Sequence, residues 1–451
     1  MAGIGWKLQR LIDRDTLAGQ LAAYMTGVAV TSAPWLLTTS VLVVLRLTAR
    51  AETAVELGEA ERLMTWIYAT TLILCAPLQV VASRYAADRL YDLKIESIAA
   101  PLRRVVATTL VGFAGVGIAL VLTLGVELRL ATMGVALTVI VGAQWLMLGV
   151  GGGLCSPSVV LGAYALGAPV SVVCALALDR GAGLGGTGYL GGFAAGQLVA
   201  LVFLLRGTFR SLPAIEDETA RIGPAFRTYW MLAASALTYH VAIWVDKLAV
   251  WIVAGGKSAA IYTTAAAFAW ISVIPAFAWI YVQVETVFYQ RYRLFYDGLE
   301  GGATLDELRG WSAGISAEAR RIVRGAGLIQ ALVSAIVLAA ASQLMDKARL
   351  GAEVVATFRW LVVGSALQVV TLLGLLLLSY FDRRREAMLV SAVLLVGNLG
   401  LPIASDALGW SPVLGYVAGC GLACVASLIL VSRRLDSLLL DTFQSQPFGM
   451  S

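Results

Sequence analysis

Twelve apolar stretches of 18 to 26 residues follow one another along the chain, separated by short polar intervals. They cover residues 21–45, 63–83, 105–124, 133–153, 159–178 and 186–205, then 229–254, 259–284, 325–344, 355–380, 387–404 and 412–431. A helix crosses the hydrocarbon layer of a membrane in about 20 residues, so each stretch is long enough to span it. Only Asp246, Lys247 and Arg359 are charged within the twelve, as a bilayer interior demands. The pattern predicts an all-α polytopic membrane protein with twelve transmembrane helices.

Composition excludes the alternatives. Of the 451 residues, 59% are apolar and 14% charged, against about 25% charged in soluble domains. The net charge of +5 could point to nucleic acid, but the basic residues are scattered among apolar runs, and no nucleic-acid partner is expected. Charge here encodes topology. With the N-terminus in the cytoplasm, 23 Lys and Arg fall inside and eight outside. The opposite orientation would invert that bias, so both termini are expected to be cytoplasmic. The first apolar run, 25 residues long, reads as a first span and not as a cleaved signal.

The organisation follows from these runs. Ile4, Leu8, Leu11 and Ile12 share one helical face while Lys7, Arg10 and Arg14 lie elsewhere, so residues 1–18 are expected to form an amphipathic helix on the inner leaflet. The polar stretch 206–227 divides the spans six and six: an N-lobe at 19–215 and a C-lobe at 216–435, with a cytoplasmic loop at 285–324 and a tail at 436–451. "SRYAADRLYD" after span two and "QRYRLFYD" after span eight hint at a pseudo-repeat. Arg84, Glu285, Arg291 and Arg293 border these segments and are expected to gate or to contact a partner.

Several familiar chemistries can be set aside. "GAGLGG" at 181–186 matches a dinucleotide fingerprint by letter, but it joins two membrane helices and lacks the required strand. "GGKS" at 255–258 lacks the first glycine of a phosphate loop, because Trp251 stands there. The five cysteines and one histidine show no zinc-like spacing, and no cofactor is expected. Glu52, Glu56, Glu59 and Glu61 read as a solvated loop, and no catalytic residues are expected.

The informative residues lie in spans seven and eight, which hold five of the twelve tryptophans. His240, Trp244, Lys247 and Trp251 recur at steps of four, three and four, which places them along one helix face. A polar, aromatic face inside a membrane suits a water-filled passage, although Lys247 can also snorkel to headgroups and Trp251 can anchor at the interface. Asp246 is too short to snorkel; it needs a partner such as Arg359 or Arg46, a proton, or water. Trp270, Phe277 and Tyr281 continue the aromatic theme toward Glu285, and Pro275 is expected to kink span eight. Gly188, Gly192 and Gly196 let two helices approach closely. Aromatic faces with a few polar groups suit sugars, whose C–H faces stack on rings and whose hydroxyls use the rim donors; packing against other helices is the alternative.

The opening "MAGIGWKL", "SAPW" at 32–35, the "RYAADRLYD" segment, "WVDK" at 244–247, and "IPAF" leading to "VETVFYQRYRLFYD" together resemble the Pel exopolysaccharide exporter (PelG) family of the multidrug/oligosaccharidyl-lipid/polysaccharide (MOP) flippase superfamily. The resemblance implies two six-helix lobes, a MATE-like fold, and export of an N-acetylgalactosamine-rich polymer without enzymatic activity. It also implies a cytosolic glycosyltransferase and membrane regulatory subunits as partners. Trp6 and Lys7 stand where Phe and Glu are the expected pattern. Two other functions share the superfamily fold: a lipid-linked oligosaccharide flippase, and a cation-coupled drug antiporter, which is expected to carry an acidic residue that spans one to six lack.

Overall fold

A computed structural model describes residues 16–48, 54–154, 156–213, 217–343 and 351–445, and all regular structure among them is helical. The inner-leaflet helix expected at 1–18 falls almost wholly outside the described residues. Twelve principal helices follow the apolar runs. They are α1 (Leu17–Thr48), α2 (Ala54–Tyr91), α3 (Ala99–Leu124), α4 (Leu128–Leu154), α5 (Pro157–Ala182) and α6 (Gly185–Arg210), then α7 (Trp230–Gly256), α8 (the pair Ser258–Ile271 and Ile274–Glu300), α9 (Leu305–Ala339), α10 (Ala352–Tyr380), α11 (Arg384–Ala407) and α12 (Pro412–Ser445). Ten of the described helices are long and apolar enough to cross a membrane, and the α8 pair, bent by 45°, adds an eleventh. The first expected span lies within α1, which is 32 residues long and contains Pro34.

Helix ends are set by local chemistry. Gly125 and Gly183 take left-handed φ values of 63° and 64° and close α3 and α5, a conformation that glycine reaches without a Cβ clash. Pro157 opens α5, where its missing N–H has no helical acceptor to lose. Residues 285–324, expected as a loop, are helical except around the turn 301–304. There Thr304 and Glu307 form a reciprocal capping box that starts α9.

The chain divides into two compact units: residues 29–240, and residues 241–451 together with the start of α1. In the first, α6 is the most enclosed helix, with 61% of its span buried, and it carries the fully buried Tyr189 and Phe193. The three glycines at 188, 192 and 196 do lie at a close approach. A Cβ on Gly196 would collide with Ser171 and with the Gly167 carbonyl of α5, and one on Gly192 would collide with Ala175.

Several polar groups of this unit are satisfied locally. Gln144 of α4 donates to the Gln197 carbonyl at 2.6 Å and accepts from Tyr164 at 3.1 Å. Glu56, read from sequence as part of a solvated loop, begins α2 and accepts from the Gly186 N–H at 2.8 Å, where the open N-terminus of α6 favours a carboxylate. Arg104 reaches the carbonyls of Ala220 at 2.8 Å and Glu218 at 2.5 Å, fastening the segment after α6 to the start of α3.

One sequence inference needs correction. Spans one to six were expected to lack an acid, yet α5 continues past residue 178, so Asp179 lies inside it, 2% exposed and bonded by the Tyr189 hydroxyl at 3.3 Å. Its absence from the apolar run reflected where the run stops, not where the helix ends.

Candidate functional site

The second unit carries the buried charge. Asp246 on α7 has no exposed surface, and its carboxylate is held by two donors: Lys247 Nζ at 3.0 and 3.1 Å and the Tyr262 hydroxyl of α8 at 2.8 Å. Neither Arg46 nor Arg359, the partners considered from sequence, supplies the charge. Arg46 pairs with Glu61 at 3.4 Å, and Arg359 donates to Ser342 at 3.1 Å. Adjacent residues point about 100° apart on a helix, which works against an Asp246–Lys247 pair. The flexible lysine stem overcomes this by curling back, so that Nζ also donates to the Ile243 carbonyl at 2.9 Å and lies 5.5 Å from the Trp244 ring centre. Lys247 therefore neither snorkels away from Asp246 nor stands alone.

Polar contacts continue through the unit from this pair. The Tyr262 ring meets Tyr416 of α12 edge-on at 6.3 Å, and the Tyr416 hydroxyl donates to Gln368 of α10 at 3.0 Å. Asn398 of α11 donates to the Ala242 carbonyl at 3.0 Å and accepts from the Cys420 thiol at 3.6 Å. Five helices are thus joined around one ion pair, with the Asp246 carboxylate and the Tyr262 and Tyr416 hydroxyls each partnered, the condition under which such burial is tolerated. His240 bonds the Ala236 carbonyl of its own helix at 2.8 Å, and Trp251 is 57% exposed.

The aromatic stripe of α8 is interrupted. Non-helical residues at 272 and 273 and the 45° bend separate Trp270 from Phe277 and Tyr281, and Pro275 occupies the first turn of the second segment. Trp244, Trp270, Phe277 and Tyr281 are all half-buried. Below Tyr281 the backbone widens into a π-turn at Val284–Phe288, which sequence reasoning missed and which encloses Glu285 with 5% exposure.

Residues overlooked in the sequence form a second cluster here. Trp279 stacks on Tyr24 of α1 at 5.9 Å with planes 3° apart, in space left by Gly325. Gln283 donates to the Tyr24 hydroxyl at 2.7 Å and accepts from Arg321 at 2.5 Å. Arg321 grips the buried Glu318 in a fork at 2.6 to 3.1 Å, and Arg291 approaches the same carboxylate at 3.8 Å. The spacing of Glu318 and Arg321 was a readable helical pair. The partner role of Tyr24, roughly 260 residues distant, was not.

Of the motif-bordering residues, Arg293 and Arg84 lie apart from these clusters. Arg293 pairs with Asp297 at 3.0 Å on an exposed turn. Arg84, in the first unit, lies 5.8 Å from the Tyr229 ring, whose hydroxyl donates to Asp88 at 2.7 Å.

The described residues form a polytopic helical membrane protein with a buried ion pair, and they hold no cluster of three or more His, Cys, Asp or Glu side chains able to hold a metal. Comparison supports the class. A MATE transporter in a bent conformation superposes with a TM-score of 0.67 at 14% identity, covering 98% of this chain and 100% of that one. An outward-facing multidrug resistance MATE family transporter of the MOP superfamily gives 0.64 at 13% identity, with 92% and 95% covered, and an inward-facing one gives 0.60 at 14% over the same shares. These likenesses establish the fold. No curated protein matches the sequence.

The family is given by the sequence itself: residues 1–443 match the PelG family, described as "Putative exopolysaccharide Exporter (EPS-E)", and the chain belongs to it. It is a multi-pass membrane protein of a transporter family and not an enzyme.

Proposed function

We propose that this chain exports a Pel-type exopolysaccharide, an N-acetylgalactosamine-rich polymer, across the bacterial inner membrane toward a biofilm matrix. Membership of the PelG family over almost the whole length is the observation that carries the reading. The surroundings of the candidate residues agree with it. The rings of Trp244, Trp270, Phe277 and Tyr281 are neither sealed in the core nor fully exposed, so their faces remain usable by a passing sugar. Each contact contributes on the order of 1 kcal/mol, weak enough for a polymer to slide from one ring to the next. The Asp246–Lys247 pair is internally neutralised, so it places polar groups near the route without holding a neutral chain by net charge.

On this reading both termini are cytoplasmic, and the helical hairpin around 301–304 projects from the same side. Its arginines and the exposed Leu294 and Leu305 form the surface on which a cytosolic glycosyltransferase docks, with membrane regulatory subunits nearby. Polymerisation would then feed the product directly to the exporter.

The test is reconstitution. Liposomes containing the chain and its synthase, supplied with nucleotide sugar on the synthase side, are expected to accumulate polymer on the far side. Polymer that stays on the synthase side would overturn the proposal. Cysteine labelling at position 304 from the periplasmic face alone would overturn the orientation.

A further inference from the structure

A cavity of about 140 Å³ lies where the turn after α10 meets the end of α8 and the last turns of α12. Tyr296, Phe381, Arg383, Arg434, Asp441 and Thr442 line it, none of them among the residues assigned above to the polymer route. A cavity near 150 Å³ accommodates a six-membered ring. The most exposed lining residue is Asp382, with its side chain 51% exposed, so substituents on such a ring can project into solvent there.

The charges around the cavity cancel. Asp441 accepts from Arg383 at 2.8 Å, from Arg434 at 3.0 Å and from Ser437 at 2.8 Å. Arg434 also pairs with Glu386, and Arg384 holds Asp382 at 2.7 and 3.0 Å. Three arginines and three carboxylates therefore face one another as matched pairs. A phosphate or an anionic headgroup would have to displace a carboxylate, and a cation would have to displace an arginine, each at the expense of an existing ion pair. A neutral polyol displaces neither: its hydroxyls can donate to carboxylate lone pairs and accept from guanidinium N–H groups left over after pairing.

The two rings supply the apolar face. Both are braced from behind, Phe381 by Phe288 at 6.1 Å and Tyr296 by Tyr292 at 4.5 Å, so their orientation is fixed before a ligand arrives. The backbone at the mouth is strained. Asp382 has φ 52° in a turn closed by Arg383 N–H to the Leu378 carbonyl at 2.8 Å, a position that glycine ordinarily occupies. Strain retained at a cavity mouth is characteristic of a functional position.

We infer that this cavity is a binding site for one neutral sugar ring, stacked on Phe381 and Tyr296 and hydrogen-bonded by the paired Arg and Asp side chains. It rests on the polysaccharide reading for the identity of the sugar. On the proposed orientation it faces the cytoplasm and receives the polymer before the intramembrane rings do.

The experiment uses the full chain in lipid nanodiscs and an N-acetylgalactosamine tetrasaccharide carrying a photoreactive diazirine. Cross-links are mapped by mass spectrometry and affinity is measured by calorimetry. Labels are expected on peptides containing residues 296, 381–383 or 434–442, and Phe381→Leu should weaken binding about tenfold, the size of one good aromatic contact. Asp382→Gly suits the backbone better while removing a polar group, so it should weaken binding without lowering the unfolding temperature. Unchanged affinity in both variants, labels confined to other segments, no saturable binding to the unmutated chain, or competition by inorganic phosphate would each overturn the sugar site. Polymer export by the same preparation decides separately whether the transport reading stands.

Discussion

The two units bury polar groups in different ways. In the first, α5 and α6 meet through glycines, and the central polar contacts are neutral amide and phenol bonds such as Gln144 with Tyr164. In the second, a lysine and an aspartate sit inside the helices, with Tyr262, Tyr416, Gln368 and Asn398 arranged near them. Even a shared motif is used differently. Tyr85, in the first RY pair, donates to the nearby Ser97 carbonyl at 2.8 Å, whereas Tyr292, in the second, reaches the distant end of α10 at Tyr380, 3.1 Å away. Close packing between α5 and α6 favours one fixed arrangement, and the one acid of α5, Asp179, is held there by the Tyr189 hydroxyl. A buried charge pair costs desolvation, which the bonds from Tyr262 to Asp246 and from Lys247 to the Ile243 carbonyl help to offset.

This contrast can be broken most forcefully at Asp246. Asp246→Ala leaves Lys247 without its carboxylate and should cost about 3–5 kcal/mol, whereas the double change with Lys247→Met should recover much of that loss. Thermal unfolding in detergent reports both, and additive losses would show that the two residues are not a coupled pair. In the first unit the corresponding weak point is steric. Gly196→Val forces α5 and α6 apart and should cost about 1–3 kcal/mol, seen as a lower unfolding temperature. Gly58→Ala, where nothing approaches the added methyl, should leave stability intact.

Why one kind of feature was legible in the sequence and the other was not follows from the range of the forces involved. Spans are local: every run of apolar residues had to become a helix, and the close approach at Gly188, Gly192 and Gly196 follows from three small residues on one face. The bend at Pro275 was equally local. The π-turn at Glu285 was not, because no residue type specifies it. Tyr24 and Trp279, or Asp246 and Tyr262, meet only after distant helices pack, and the Asp246–Lys247 pairing depends on a lysine rotamer that helical angles alone do not fix. Asp179 was missed for another reason: hydropathy marks where apolar residues stop, and a buried acid at a helix end lies just beyond that mark.

Smaller effects sharpen the comparison. Truncating a single ring among Trp270, Phe277 and Tyr281 should slow export several-fold with little change in stability, about 1 kcal/mol of contact being lost. Truncating two rings that touch successive sugars should combine. The smallest effect is expected in the first unit at Asp217, whose carboxyl is held below its usual range by hydrogen bonds from Thr219. A depressed pKa means that the stabilisation is present at neutral pH and is lost as the pH falls through the folded value. Asp217→Asn should therefore narrow the difference in unfolding temperature between neutral and acidic buffer, and an unaltered difference would remove Asp217 from the account.

The most direct measurement of the central claim, that the second unit's aromatic residues touch the exported sugar, compares two substitutions at one position. Trp244→Phe and Trp244→Leu are introduced into the reconstituted exporter with its synthase, and polymer on the far side is measured at equal protein level. Phenylalanine keeps a flat ring face, and leucine keeps only hydrophobicity. The account predicts that the Phe variant retains most of the export rate while the Leu variant falls several-fold. Equal rates for the two would mean that Trp244 serves helix packing, and the sugar contact would be contradicted.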